Sequence, residues 1–504
     1  MLYESTRGQS QTVSSAEAIK LGIAPDGGLF VPCDKVRLTS DQMLALLELN
    51  YQERAVLILK QYLTDFSEQE LRNSINAAYS PQKFTKPDIT PIFKLNPTVY
   101  FLELWHGPTC AFKDMALQLL PHLLTLSTKK TGEDAEIAIL VATSGDTGKA
   151  ALEGFKDVVG TKIIVFYPDQ GVSEIQKRQM VTQEGKNVEV VAVVGNFDDA
   201  QDGVKNIFGD KEFNQELNHR KIKLSSANSI NWGRLAPQII YYISAYADLL
   251  KQNEITAGEP INVVVPTGNF GNILAAFYAR QMGLPIHRLI CAANTNNVLT
   301  DFIRTGVYNR NRSFEKTISP SMDILISSNL ERLLYELTDH DANRICTWMS
   351  QLKATGRYQI EKPLHQLVQE LFWSDFATDA ETLDTIEKTY TQDGYVMDTH
   401  TAVGKRVYDK YVEATRDQTK TLIASTASPF KFSNKVAEAI MGTKTNQIKN
   451  EFDLLELLSK TCGLQIPEAL QGLDQKPVLH HLITERSNMK NAVLNLLINK
   501  NYNL

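Results

Sequence analysis

Lys113 is the residue of this chain whose surroundings best suit a reactive amine. It stands in WHGPTCAFKDMA, Trp105 to Ala116, where Gly107 and Pro108 end the apolar run YFLELW and a helix-compatible stretch, DMALQLLPHLL, begins. A lysine at such a junction faces oriented backbone N–H groups that disfavour an ammonium. Desolvation between Phe112 and Met115 would push the same way. An amine that is easily neutralised can form a Schiff base. Taken alone, the pattern fits better with an ordinary helix-starting lysine whose charge stays in water.

Two glycine-bearing loops change that balance. In IAILVATSGDTGKAALEGF, an apolar run from Ile137 to Ala142 leads into Thr143–Gly148 and then an amphipathic helix. In INVVVPTGNFGNILAAFYARQMG, a strand from Ile261 to Val265 leads into Pro266–Asn272 and a helix to about Met282. Each loop falls at the carboxyl end of a predicted parallel strand and the amino end of a helix, where free N–H groups hold phosphate or carboxylate. Two such loops beside an activated lysine predict one anion site for a cofactor and another for a substrate. Nucleotide signatures fail: Gly268-Asn269-Phe270-Gly271 lacks the third glycine of a dinucleotide fingerprint, and Gly148-Lys149 is followed by Ala150, with Thr143 at the first glycine position of a P-loop.

The blocks HGPTCAFKDMA, ATSGDTGKAAL, PTGNFGNI and SANSINWGR resemble the motifs of threonine synthases, pyridoxal-phosphate enzymes of the tryptophan-synthase-β type. Matching blocks run in order from Thr6–Gly8 and Ala24–Pro32 to STASPFKF at Ser425–Phe432, so the resemblance covers about the first 440 residues. It implies an α/β fold with parallel sheets in a large and a small lobe, plus a mainly helical amino-terminal lobe. It also implies conversion of O-phospho-L-homoserine and water to L-threonine and phosphate, the last step of threonine biosynthesis, by γ-elimination and β-addition with pyridoxal 5'-phosphate. Carried over by motif, Lys113 is the cofactor-bearing lysine. Gly268, Asn269, Phe270, Gly271 and Asn272 form the cofactor phosphate loop, and Thr426 faces the pyridine nitrogen. Ser144, Gly145, Asp146 and Thr147 form the loop for the substrate α-carboxylate. Asn228, Ser229, Asn231 and Arg234 form a polar block for the substrate phosphate, with Arg234 as its best bidentate clamp. Asn272 stands where the family often has Asp, and Ser428 and Phe430 replace a pattern more often written His-Pro-Ala.

Two other readings stay open. A dehydratase or cysteine synthase of the same cofactor class would share the lysine and the loops without needing the NSINWGR cluster. A non-catalytic phosphometabolite-binding protein on the same scaffold would bind no cofactor.

The elements that must position these groups are legible as alternation. YFLEL, IAILVA, KIIVFY, VEVVAVV, INVVVP, RLICAA and TLIAS read as strands separated by helical segments, which predicts parallel βαβ units. Residues 1–95 read as an amino-terminal lobe, 130–220 as a small α/β lobe, and 96–129 with 221–504 as the large lobe. In that large lobe, residues 315–390 read as a helical surface insertion and the chain after about 445 as a helical tail with a polar end. The 504 residues carry a net charge of -6, modest and spread out, so neither nucleic acid nor an acidic membrane surface is an expected partner. No apolar stretch reaches the roughly 20 residues of a membrane helix and the start lacks a signal-peptide core, which predicts a cytoplasmic protein. The five cysteines show no CxxC pair or metal-ligand spacing, so no metal is expected. His400, in MDTHTAVG, and His106 read as histidines without catalytic duty. Tyr241, Tyr242 and Tyr246 sit at helical spacing and read as core or interface. No motif sets the oligomeric state, monomer or dimer.

Overall fold

The computed structural model describes residues 1–498 except Gly171, Asn446, Gln447 and Lys449. Two sheets carry the architecture. The larger has six strands in the order Phe372–Phe376, Ile286–Ala293, Ile261–Pro266, Thr421–Ser425, Val99–Glu103 and Ile92–Lys94, with only Ile92–Lys94 antiparallel. The smaller has five parallel strands in the order Leu482–Glu485, Val188–Val194, Thr161–Pro168, Glu136–Ala142 and Ile222–Ser225. Helices cover both sheets, so the central strands are apolar on both faces: all six residues of Ile261–Pro266 are buried. All seven runs read as strands from the sequence are strands here.

The amino-terminal region combines a three-stranded antiparallel sheet (Leu2–Ser5, Val13–Ser14, Phe30–Pro32) with helices including Tyr51–Tyr62 and Glu68–Ala78. Reciprocal capping boxes at Asn50/Glu53 and Ser67/Glu70 satisfy the free N–H groups that start those two helices. Their apolar faces join one contiguous core with both sheets, so no lobe is packed alone.

The structure differs from the expected lobe boundaries in three ways. The strand Ile222–Ser225 belongs to the small sheet, so that lobe runs past residue 220. The tail also crosses to it: Leu482–Glu485 pairs with Val188–Val194, and Met489, Val493 and Leu497 from the helix Met489–Ile498 pack into the small-lobe core. The polar end, residues 499–504, lies outside the described residues. Residues 315–390 are more than a surface insertion, because Phe372–Phe376 forms an edge strand of the large sheet.

One glycine sets how closely the lobes approach. Gly154 lies in the helix Asp146–Phe155, and a Cβ built on it would stand 2.0 Å from the carbonyl oxygen of Leu117, at the end of the short helix that follows Lys113. Gly154→Ala must push these helices apart. It should destabilise the chain by about 1–3 kcal/mol, the range for overpacking a tight contact, as read by denaturant unfolding.

Candidate functional site

Lys113 caps a four-residue helix, Asp114–Leu117, at the carboxyl end of the strand Val99–Glu103. Main-chain bonds lace its segment to the chain beyond Ser425: Phe112 N–H donates to Thr426 O (2.8 Å) and Ser428 N–H to Cys110 O (3.0 Å). The lysine is therefore fixed beside Thr426, which is itself buried. Lys113 is only 8% exposed. Its Nζ donates to Ser321 Oγ (3.0 Å) and lies 3.7 Å from Asp146 Oδ2. Burial brings its pKa down to about 8, against the attraction of Asp146 and with help from the positive charges of Arg234 and Lys431. Desolvation is thus the leading cause, as the flanking Phe112 and Met115 suggested.

The loop before the helix Gly271–Gln281 has the form of an anion cradle. Phe270 takes a left-handed conformation (φ 63°) to turn the chain into the helix, and its buried ring packs against Phe372. Carbonyls of the loop are held from outside: Ser327 Oγ donates to Gly268 O (2.8 Å), and the N–H and Nδ2 of Asn329 donate to Asn269 O (3.2 and 3.0 Å). The N–H groups of Gly268, Asn269 and Phe270 have no partner among the described residues. A Cβ on Gly268 would lie 2.7 Å from Ser321 O, so only glycine lets the turn containing Ser321 close against this loop. Asn272 is directed elsewhere. Its Oδ1 accepts hydrogen bonds from the hydroxyls of Tyr241 and Tyr242, deep in the core. The two tyrosines are thus core residues with a polar duty, and Asn272 Nδ2 has no partner among the described residues.

The second loop faces the lysine from the small lobe. Thr143 Oγ1 accepts from the N–H groups of Gly145 (3.0 Å) and Gly148 (2.8 Å), which shapes the turn. Ser144 and Thr147 are half-buried at its mouth. Asp146, expected to help hold a carboxylate, spends its own carboxylate on the protein. Oδ1 accepts from Lys431 Nζ (2.7 Å) and Gln176 Nε2 (2.8 Å), and Oδ2 from Ser321 Oγ (3.3 Å). Burial would raise its pKa, but Lys431 and Lys113 hold it well below the usual carboxylate range. Its backbone N–H, at a helix start, has no partner among the described residues.

The polar block Asn228–Arg234 divides. Arg234 is buried, donates to Ala227 O (2.7 Å), and has no carboxylate partner among the described residues. Burial lowers its pKa to about 10. Asn228 and Ser229 are half-buried, with Ser229 Oγ accepting from Asn329 Nδ2 (3.1 Å). Asn231 departs from the expected role. Its Oδ1 caps the helix Trp232–Lys251 through Gly233 N–H (2.9 Å), while its Nδ2 donates to Ile19 O (3.0 Å) and Ser226 O (3.3 Å). Both ends of that amide are occupied, so it holds the block in place.

Sequence reasoning missed Ser321, Asn329 and Lys431, and it undervalued His400. Lys431 lies in the quoted STASPFKF block, which was its only signal, and is fully buried. His400 is in the first turn of the helix Thr399–Thr415. Its Nδ1 bonds Asp398 Oδ2 (2.7 Å), and its Nε2 accepts from the N–H of Ser321 (3.1 Å). It therefore fixes the turn that carries Ser321 to Lys113. His106 pairs with Glu103 (2.7 Å).

Comparison with known proteins identifies the family. Residues 2–79 match the family model described as threonine synthase N terminus, 86–358 that of pyridoxal-phosphate dependent enzymes, and 401–477 that of the threonine synthase C-terminal region. The threonine synthase of Schizosaccharomyces pombe is 38% identical over 494 residues, covering 91% of this chain and 94% of that protein. The chain belongs to the threonine synthase family. Human threonine synthase-like 1 is 41% identical over 442 residues, and the match takes in 86% of this chain but 58% of that longer relative. Among solved structures, the PLP-bound threonine synthase from Brucella melitensis superposes with a TM-score of 0.86 at 34% identity, covering 98% of this chain and 99% of that one. Yeast threonine synthase gives the same score and identity, covering 98% of each chain. The fold is therefore the α/β, tryptophan-synthase-β-like fold of the pyridoxal-phosphate-dependent enzymes.

The lowered pKa of Lys113 has a consequence for stability. Between about pH 8 and the ordinary lysine range, the unfolded chain holds a proton on this residue that the folded chain has released. Stability contributed by Lys113 therefore rises with pH across that window, and below it the buried ammonium carries its full cost. Lys113→Met should stabilise the cofactor-free chain at pH 7 by about 1–3 kcal/mol and have a smaller effect near pH 10, measured by urea unfolding.

Proposed function

We propose that the chain is a threonine synthase, converting O-phospho-L-homoserine and water to L-threonine and inorganic phosphate with pyridoxal 5'-phosphate. The observation that carries this reading is the buried, easily neutralised Lys113 sharing one site with Arg234, a buried cation without a carboxylate partner among the described residues. A dehydratase or cysteine synthase substrate, lacking a distal phosphate, would leave that guanidinium uncompensated.

The residues present fit the cofactor. Lys113 Nζ supplies the amine that holds it covalently. The unpartnered N–H groups of Gly268, Asn269 and Phe270, with the start of the helix Gly271–Gln281 behind them, suit its phosphate. Thr426 offers a neutral hydroxyl to the pyridine nitrogen, which does not enforce ring protonation as a carboxylate would. When bound, the cofactor supplies an electron sink for negative charge developing on the substrate carbons.

The chain's own groups then bind and move protons. Backbone N–H groups of Ser144, Asp146 and Thr147 at the helix start orient the α-carboxylate. Arg234, supported by Asn228 and Ser229, holds the phosphate that leaves from Cγ. Lys113 Nζ, in its uncharged form, takes the proton from Cα and moves protons at Cβ and Cγ, and water adds at Cβ. A cytoplasmic location goes with this reading, supported by five unpaired cysteines.

The test is phosphate release from O-phospho-L-homoserine by the cofactor-loaded chain, with amino-acid analysis of the product. Threonine and phosphate should appear in equal amounts with the wild type and not with Lys113→Ala. Arg234→Gln should raise KM for this substrate about 10- to 100-fold, the worth of a hydrogen bond to a charged group. Cofactor bound through Lys113 without turnover of this substrate would overturn the assignment.

A further inference from the structure

Asp146, a buried carboxylate of the site, lies within reach of two buried lysines, and the two contacts are unequal. Lys431 Nζ sits 2.7 Å from Asp146 Oδ1 and also donates to Thr109 O (2.9 Å). Lys113 Nζ is 3.7 Å from Oδ2, and Ser321 Oγ stands between them, accepting from Lys113 (3.0 Å) and donating to Asp146 (3.3 Å). Lys431 is 0% exposed, so it has no water to turn to. A buried carboxylate with one direct cation is already compensated, and it attracts a second amine far less than a free carboxylate would. Without Lys431, Asp146 would be a full counter-ion for Lys113, and such a contact stabilises the ammonium.

We propose that Lys431 is a positioning residue that occupies Asp146 and thereby makes the Lys113 amine easier to discharge, and so available as nucleophile and base. The proposal deepens the threonine synthase reading and rests on it for the use made of the free amine. It assigns a reason for a lysine that meets the second loop only at the Asp146 carboxylate.

The charged and titratable groups around Lys113 agree in direction. Asp146, at the start of the helix Asp146–Phe155, is the group that favours the ammonium. Arg234, in the helix Trp232–Lys251, and Lys431, in the turn after the strand Thr421–Ser425, oppose it. His400 reaches the pair through the Ser321 turn and is bonded to Asp398. Asp114, next in sequence, is turned away and accepts from the N–H (2.8 Å) and hydroxyl (2.7 Å) of Thr109. Lys431 therefore has two effects with one sign: it takes up the carboxylate and adds a positive field of its own.

The experiment is the pH dependence of Lys113 acetylation by acetic anhydride in the full-length, cofactor-free chain, read by mass spectrometry of the Lys113 peptide. Neither substrate nor cofactor enters the readout, so its failure is distinct from failure of the enzymatic assignment. In Lys431→Met the midpoint should rise by about 1–3 units, the effect of an uncompensated neighbouring carboxylate. In Asp146→Asn it should fall, and in the double variant it should return to within about one unit of the wild type. Thermal unfolding of each variant separates the effect from loss of fold, because a merely structural Lys431 would lower stability without moving the midpoint. An unchanged midpoint in folded Lys431→Met overturns the proposal. If that variant does not fold, Lys431→Gln, which can still donate to Asp146 but carries no charge, takes its place, and an unchanged midpoint there overturns the proposal.

Discussion

Holding a primary amine out of water is the constraint on which this structure depends. An ammonium loses several kcal/mol of hydration when buried, so the fold must let it discharge or supply compensating groups. Here the two are combined. Lys113 is anchored by main-chain bonds from Phe112 and to Cys110, bonded by Ser321, and kept one hydroxyl away from the only carboxylate that contacts it among the described residues. Cys110 itself is left-handed (φ 60°), a conformation that costs a non-glycine residue and persists because the surrounding bonds dictate it.

Around that amine the architecture is economical. Strands of both sheets deliver glycine-bearing loops from their carboxyl ends, and each loop feeds a helix whose first N–H groups are free. The large lobe supplies the lysine, one loop and Thr426, while the small lobe brings the second loop with Asp146. Segments far apart in sequence lock these parts together. Asn329 ties Asn269 to Ser229, and His400 fixes the Ser321 turn, which can close on Gly268 only because that residue lacks a side chain. These contacts make the site one rigid cluster of side chains and loops, the condition for orienting a substrate in a single pose.

Much of the scaffold was readable from local pattern, and the unread parts share physical reasons. Seven strands announced themselves because buried parallel strands must be continuously apolar. Phe372–Phe376 (FWSDF), Ile222–Ser225 (IKLS) and Leu482–Glu485 (LITE) are short and carry polar residues, and each lies at a sheet edge. Lys113 and the two glycine loops were visible because turn chemistry is local. Lys431 was not, since its partner Thr109 lies 322 residues away and a lone lysine after a phenylalanine carries no local mark. Asn231 shows the opposite error: a polar residue inside a recognisable block was read as ligand-facing when its position called for a helix cap.

The crossing of the tail to the small lobe bears on how the molecule is made. Val188–Val194 has no neighbour on one side until Leu482–Glu485 arrives, and the core under that sheet lacks Met489, Val493 and Leu497 until then. During synthesis the small lobe therefore carries an open strand edge and an uncovered apolar face while most of the remaining chain is still being added. Such surfaces are templates for wrong pairing. The sealing of this edge waits for residues that are synthesised after every segment that builds the site.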